Sequence, residues 1–109
     1  MPTRRHPLKK LRTKAFIRQA GLCIYCGCKM WNSSPDELEG LTPRQATRRQ
    51  CTGEHLVAHQ DGGKATASNI AAACWACNQL RHSGKEALSP TEFEALVKAR
   101  IAKGRRCEL

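Results

Sequence analysis

Short amphipathic stretches, each closed by a glycine or opened by a Pro-containing cap, follow one another along the chain. Over residues 11–20, LRTKAFIRQA, Leu11, Ala15 and Phe16 fall near one face while Arg12, Arg18 and Gln19 lie elsewhere. This spacing predicts a short helix that Gly21 stops. Ahead of it, Pro2 and Pro7 discourage helix, so residues 1–10 read as a flexible basic arm. Ser34-Pro35-Asp36-Glu37 combines an N-cap, a first-turn proline and an acid at the third helical position, predicting a short helix that Gly40 ends. Thr42-Pro43-Arg44-Gln45 repeats that grammar and opens a second helix, in which Arg44, Arg48 and Arg49 share part of one surface. Residues 51–59 read as a strand pair centred on Leu56, Val57 and Ala58, followed by an Asp61-Gly62-Gly63 loop. Helix resumes between Ser68 and Ala76 and carries Asn78 and Arg81. The strongest helix is the last: Ser89-Pro90-Thr91-Glu92 is a capping box, and Phe93, Leu96, Val97, Arg100 and Ile101 follow at helical spacing, with Gly104 as the stop.

The segments assemble into one domain. The basic arm 1–10 precedes a main unit over 11–88, a C-terminal helix over 89–103 packs on that unit, and 104–109 form a loose tail. A chain of 109 residues with two Trp, two Phe and one Tyr has little to build a large core from, so a metal staple is expected. Seven cysteines cannot all pair in intramolecular disulfides. Cys23-x-x-Cys26 and Cys74-x-x-Cys77 together have the spacing of a four-thiolate structural zinc site, since two intervening residues let one turn present both sulfurs to a tetrahedral ion. Four buried, unligated cysteines are the plain alternative, and two such pairs rarely coincide by accident. Cys28 is an alternative ligand in the first knuckle, while Cys51 and Cys107 have no partner at ligand spacing.

Charge narrows the partner. The formal net charge is +10, and none of the nine Asp and Glu residues precedes Asp36. Such a footprint suits a phosphate backbone, with Arg12, Lys14, Arg44, Arg48 and Arg49 as candidate contacts and a solubilising basic tail as the bland alternative. No apolar run is long enough for a signal peptide or a membrane span, so an intracellular, cytoplasmic protein without a membrane partner is expected. Oligomeric state is left open.

The chemistry-bearing residues concentrate between Cys51 and Arg81. Glu54-His55, Gly62-Gly63, Asn69, Cys74-x-x-Cys77, Asn78 and Arg81 occur in that order, after the knuckle Gly21-Leu22-Cys23-Ile24-Tyr25-Cys26-Gly27. Over residues 11–82 this resembles the HNH nucleases of the ββα-metal (His-Me finger) group. The resemblance implies a small α+β, zinc-stapled ββα-metal domain, a β-hairpin crossed by a helix with further helices flanking it.

It also implies metal-dependent hydrolysis of DNA phosphodiester bonds. His55 would be the general base, a role a neutral imidazole suits near physiological pH. Glu54 and Asn78 would hold one catalytic divalent ion, Mg²⁺ or Mn²⁺, because hard ions favour oxygen donors. Asn69 would support the loop that positions the histidine. Arg81, at the family's basic position, would meet the DNA backbone. His59 would touch phosphate or face solvent, and His82, one helical turn beyond Asn78, would reach the metal or a phosphate if helix persists. Trp75 reads as packing. A zinc-stabilised nucleic-acid-binding module without catalysis is the rival, and Glu54-His55 discriminates, since a mere binder has no need of an acid–base pair beside a metal-ligating amide.

Overall fold

A two-stranded hairpin forms the centre of the computed structural model, which describes residues 7–56, 66–84 and 88–103. Strand β1 (Cys51–His55) pairs antiparallel with β2 (Ile70–Cys74), with Cys51 opposite Cys74 and His55 opposite Ile70. Helix α3 (Trp75–Arg81) leaves β2 without a loop, Cys74 serving as its N-cap, and packs back on both strands. This is the ββα arrangement that the sequence implies.

Two expectations are corrected here. β1 covers only Cys51–His55, and its partner is the IAAAC segment, which was not expected as a strand; Val57 and Ala58 lie outside the described residues, and helix resumes at Trp75, within the expected 68–76 window. Alanine favours helix in isolation, but all five residues of β2 are buried, and tertiary packing overrides propensity. Side chains this small are required because helix α1 (Pro7–Arg18) lies across both strands. On β1 the same crossing falls at Gly53, where a Cβ would stand 3.0 Å from Leu8 Cδ1 and 3.5 Å from Arg12 Cβ.

The second correction concerns α1, which begins at Pro7, inside the stretch expected to be an unstructured arm. Proline lacks only an N–H that the first helical turn leaves unpaired anyway, so Pro7 starts the helix instead of blocking it. Residues 1–6 lie outside the described residues. The other end behaves as expected: after Arg18 the chain turns through Ala20 (φ 57°) and Gly21 (φ 76°), with Gly21 N–H donating to Phe16 C=O at 2.9 Å. The side chain of Gln19 then acts as a substitute strand along the free edge of β2. Its Nε2 donates to Ala72 C=O, and its Oε1 accepts from Ala72 N–H, both at 2.9 Å.

The capping grammar is realised at all three predicted sites. Ser34 and Glu37 cap a 3₁₀ turn (Pro35–Glu37), Thr42 and Gln45 cap α2 (Pro43–Arg48), and Ser89 and Glu92 cap α4 (Pro90–Ala102). Trp31 ties the intervening segment down: its indole Nε1 donates to Ala46 C=O at 2.6 Å, and its backbone exchanges bonds with Arg49 and Cys51. Helix α4 reaches the core through Phe93 and Val97, both fully buried, and the Phe93 ring meets Tyr25 edge-on, with centroids 4.8 Å apart. Gly104, the expected stop, and Cys107 lie outside the described residues, as do His59 and Gly62-Gly63.

Phe93 is thus the anchor of α4. Phe93→Ala is expected to lower the stability of the zinc-loaded protein by about 3–5 kcal/mol in urea denaturation. A loss no larger than that of a surface substitution would show that α4 does not depend on this contact.

Candidate active site and metal centre

Knuckle and hairpin meet at sulfur. The Sγ atoms of Cys23, Cys26, Cys74 and Cys77 all lie within 4.8 Å of one another, and Cys26 and Cys74 are 3.9 Å apart. Four thiolates about 2.3 Å from a tetrahedral zinc ion would be separated by about 3.8 Å, so the set fits structural Zn²⁺. Backbone amides point at the sulfurs: Cys74 N–H donates to Cys23 Sγ at 3.3 Å, Tyr25 N–H to the same sulfur at 3.4 Å, and Cys77 N–H to Cys74 Sγ at 3.4 Å. Such bonds favour the thiolate form that a metal requires. Proximity also couples the thiols. Hydrogen bonds from Cys26, Cys74 and Cys77 hold the Cys23 thiol far below the ordinary range, while donation toward Cys23 first, and Cys26 and Cys74 next, pushes Cys77 far above it. Four groups that cannot all ionise by themselves are the donor set a divalent cation satisfies.

Cys28 and Cys51 stand apart from this cluster. Cys28 is buried and disulfide-bonded. Cys51 is a buried free thiol whose pKa burial pushes up to about 11, which makes it an inert packing residue.

The acid–histidine pair occupies the end of β1. Thr52 and Glu54 share one face of the strand by its two-residue period, and α3 covers that face. Asn78 Nδ2 donates to Thr52 Oγ1 at 3.1 Å, and Thr52 Oγ1 donates to Ala73 C=O at 2.7 Å. This fixes which end of the Asn78 amide is the oxygen. One turn later Arg81 meets Glu54, both almost wholly buried. Arg81 Nη1 donates to Glu54 Oε2 and, at 3.2 Å, to His55 C=O, while its Nε donates to Leu88 C=O at 2.7 Å. Tyr25 Oη donates to the same Glu54 Oε2 at 3.2 Å. Burial, then the Glu54 charge, raises the Tyr25 pKa above its ordinary value, so the phenol stays a donor. Glu54 Oε1 faces the exposed His82, whose Nε2 is 3.7 Å away. His55 is half-buried beside Glu54, and Leu56 N–H donates to Asn69 C=O at 2.9 Å, closing the hairpin where Asn69 precedes β2.

A family model described as HNH endonuclease matches residues 23–84, more than half of the chain. The chain belongs to the HNH endonuclease family. No curated protein sequence matches it.

The HNH match begins at the first zinc knuckle and ends just beyond α3, and the fold brings the knuckle's Tyr25 against Arg81 of α3. Sequence reasoning named Cys23, Cys26, Cys74, Cys77, Glu54, His55, Asn69 and Asn78, and the structure places all eight around one hairpin–helix unit. Arg81 was expected on the phosphate backbone, yet its guanidinium is turned inward onto Glu54. Lys14 and Arg44 are exposed, and Arg12, Arg48 and Arg49 are half-buried. Two participants had no role assigned from the sequence. Thr52 was within reach of the strand period, lying two residues before Glu54. Tyr25 had a weaker signal, its place inside the knuckle, because nothing local says that its hydroxyl meets a strand 29 residues on.

Removing zinc with a chelator is expected to unfold the domain, read as loss of far-UV circular dichroism. Retained secondary structure in metal-free protein would contradict a staple role. Zinc content separates the candidate ligands: Cys26→Ser should lose the metal, whereas Cys28→Ser should keep one zinc per chain.

Proposed function

We propose that this HNH chain hydrolyses DNA phosphodiester bonds with His55 as general base and with Glu54 and Asn78 holding a single divalent ion, Mg²⁺ or Mn²⁺. The observation that carries this reading is the seam between β1 and α3, along which Thr52 orients the Asn78 amide and Glu54 lies beside His55. One carboxylate and one amide oxygen form a hard donor set, unlike the four sulfurs of the zinc site. A divalent ion held there supplies charge stabilisation to the phosphate and to the departing 3′ oxygen. His55 takes the proton of the attacking water, and the half-buried imidazole remains within reach of solvent. His82 stands at the exposed rim beside Glu54 Oε1, where it adds a donor to the phosphate or to the ion. Attack by water needs no 2′-hydroxyl, which places DNA ahead of RNA.

Binding rests on phosphate contacts from Lys14, Arg44, Arg12, Arg48 and Arg49, together with His59. DNA affinity is therefore expected to fall linearly on a log–log plot against salt concentration, in a fluorescence-anisotropy titration with unrelated duplexes. Affinity indifferent to salt would refute the phosphate-based mode.

The decisive assay is plasmid relaxation with Mg²⁺ or Mn²⁺. His55→Ala, folded and zinc-loaded, should nick about 10²- to 10⁴-fold more slowly than wild type. Equal nicking by both proteins would remove His55 from the chemistry. Intact DNA binding with no nicking by either would favour a binding module that keeps the scaffold alone.

A further inference from the structure

We propose that Arg81 and Tyr25 are positioning residues that hold Glu54 so that Oε1 alone is offered to the divalent ion. The proposal rests on the metal site described under the proposed function. Its basis is the unequal use of the two carboxylate oxygens. Oε2 receives both the Arg81 guanidinium and the Tyr25 hydroxyl, all three side chains being buried. Oε1 is directed the other way, toward the exposed His82. A carboxylate held in this manner would offer one oxygen to an ion and keep the other on its protein donors.

Arg81 has a second hold on the same pair. Its Nη1 also donates to His55 C=O, so one guanidinium sets the side chain of the acid and the backbone of the histidine. Its Nε is anchored in turn on Leu88 C=O, at the approach to α4. Both positioning residues grow out of the zinc site. Tyr25 lies between Cys23 and Cys26, and Arg81 is one turn beyond Cys77 on α3. Outer-shell donors of this type orient a ligating carboxylate. The zinc cluster thereby determines the geometry of the oxygen site as well as the stability of the fold.

The test is direct Mn²⁺ binding, followed by electron paramagnetic resonance, to the full zinc-loaded His55→Ala chain on a short DNA duplex, where no cleavage intervenes. Adding Arg81→Lys is expected to weaken Mn²⁺ binding by about 10- to 100-fold, with Tyr25→Phe toward the lower end of that range. DNA affinity in the absence of divalent metal should be unchanged in both, which a phosphate-contacting arginine would not allow. Tyr25→Phe removes one hydroxyl and retains the ring that packs on Phe93, so it decides the matter alone if Arg81→Lys fails to fold. Parental Mn²⁺ affinity in Tyr25→Phe and Arg81→Lys, alongside loss of binding in Glu54→Gln, would overturn the positioning role only. Parental affinity in Glu54→Gln would overturn the metal site itself.

Discussion

Four sulfurs gathered within 4.8 Å repel one another as thiolates and cannot all ionise together unless a cation sits among them. Every other feature of the domain leans on that junction. Cys23 and Cys26 come from the turn after α1, Cys74 ends β2, and Cys77 lies in the first turn of α3, so one tetrahedral ion held there would join the N-terminal helix to the hairpin and to the helix that crosses it. The apolar core around this junction is modest: alanines, cysteines, a methionine, one tyrosine, one phenylalanine and one valine make up its buried members. A core of that size offers little against the entropy of ordering the chain, and a metal that binds only the folded arrangement supplies what the side chains lack.

The same geometry explains how a buried ion pair is tolerated next to the candidate site. Desolvating Glu54 and Arg81 is costly, and such a pair is a poor source of stability unless further hydrogen bonds satisfy both partners. Here they do, through Tyr25 on the carboxylate and through the carbonyls of His55 and Leu88 on the guanidinium. An arrangement that gains little stability but fixes one carboxylate oxygen suits a site that must present that oxygen in a single direction. Asn78 is treated alike, its amide turned by Thr52, which is itself bonded across to β2.

The basic surface and the site belong to different scales of the structure. Lys14 lies on the helix that crosses the hairpin, and Arg44 on the short helix α2, so positive charge flanks the hairpin through elements that carry no chemistry themselves. The net charge of +10 is spread over many residues, whereas the oxygen donors of Glu54 and Asn78 are confined to one strand end and one helix.

The sequence by itself determined whatever is encoded locally. The three capping boxes, the glycine that ends α1, the zinc ligands and the order of acid, histidine and asparagines depend on spacings of a few residues, and each appears where the spacing puts it. Only the tertiary structure decided what lies between distant segments. Ile70–Cys74 is a strand because α1 and the Gln19 side chain need small residues and a free edge there, although its alanines favour helix. Arg81 points inward because Glu54, 27 residues earlier, and Tyr25, 56 residues earlier, converge on its helix. A basic residue after a zinc knuckle reads the same on paper whether it faces DNA or a buried carboxylate. The difference is a matter of which charge the fold brings within reach, and no local pattern carries that information.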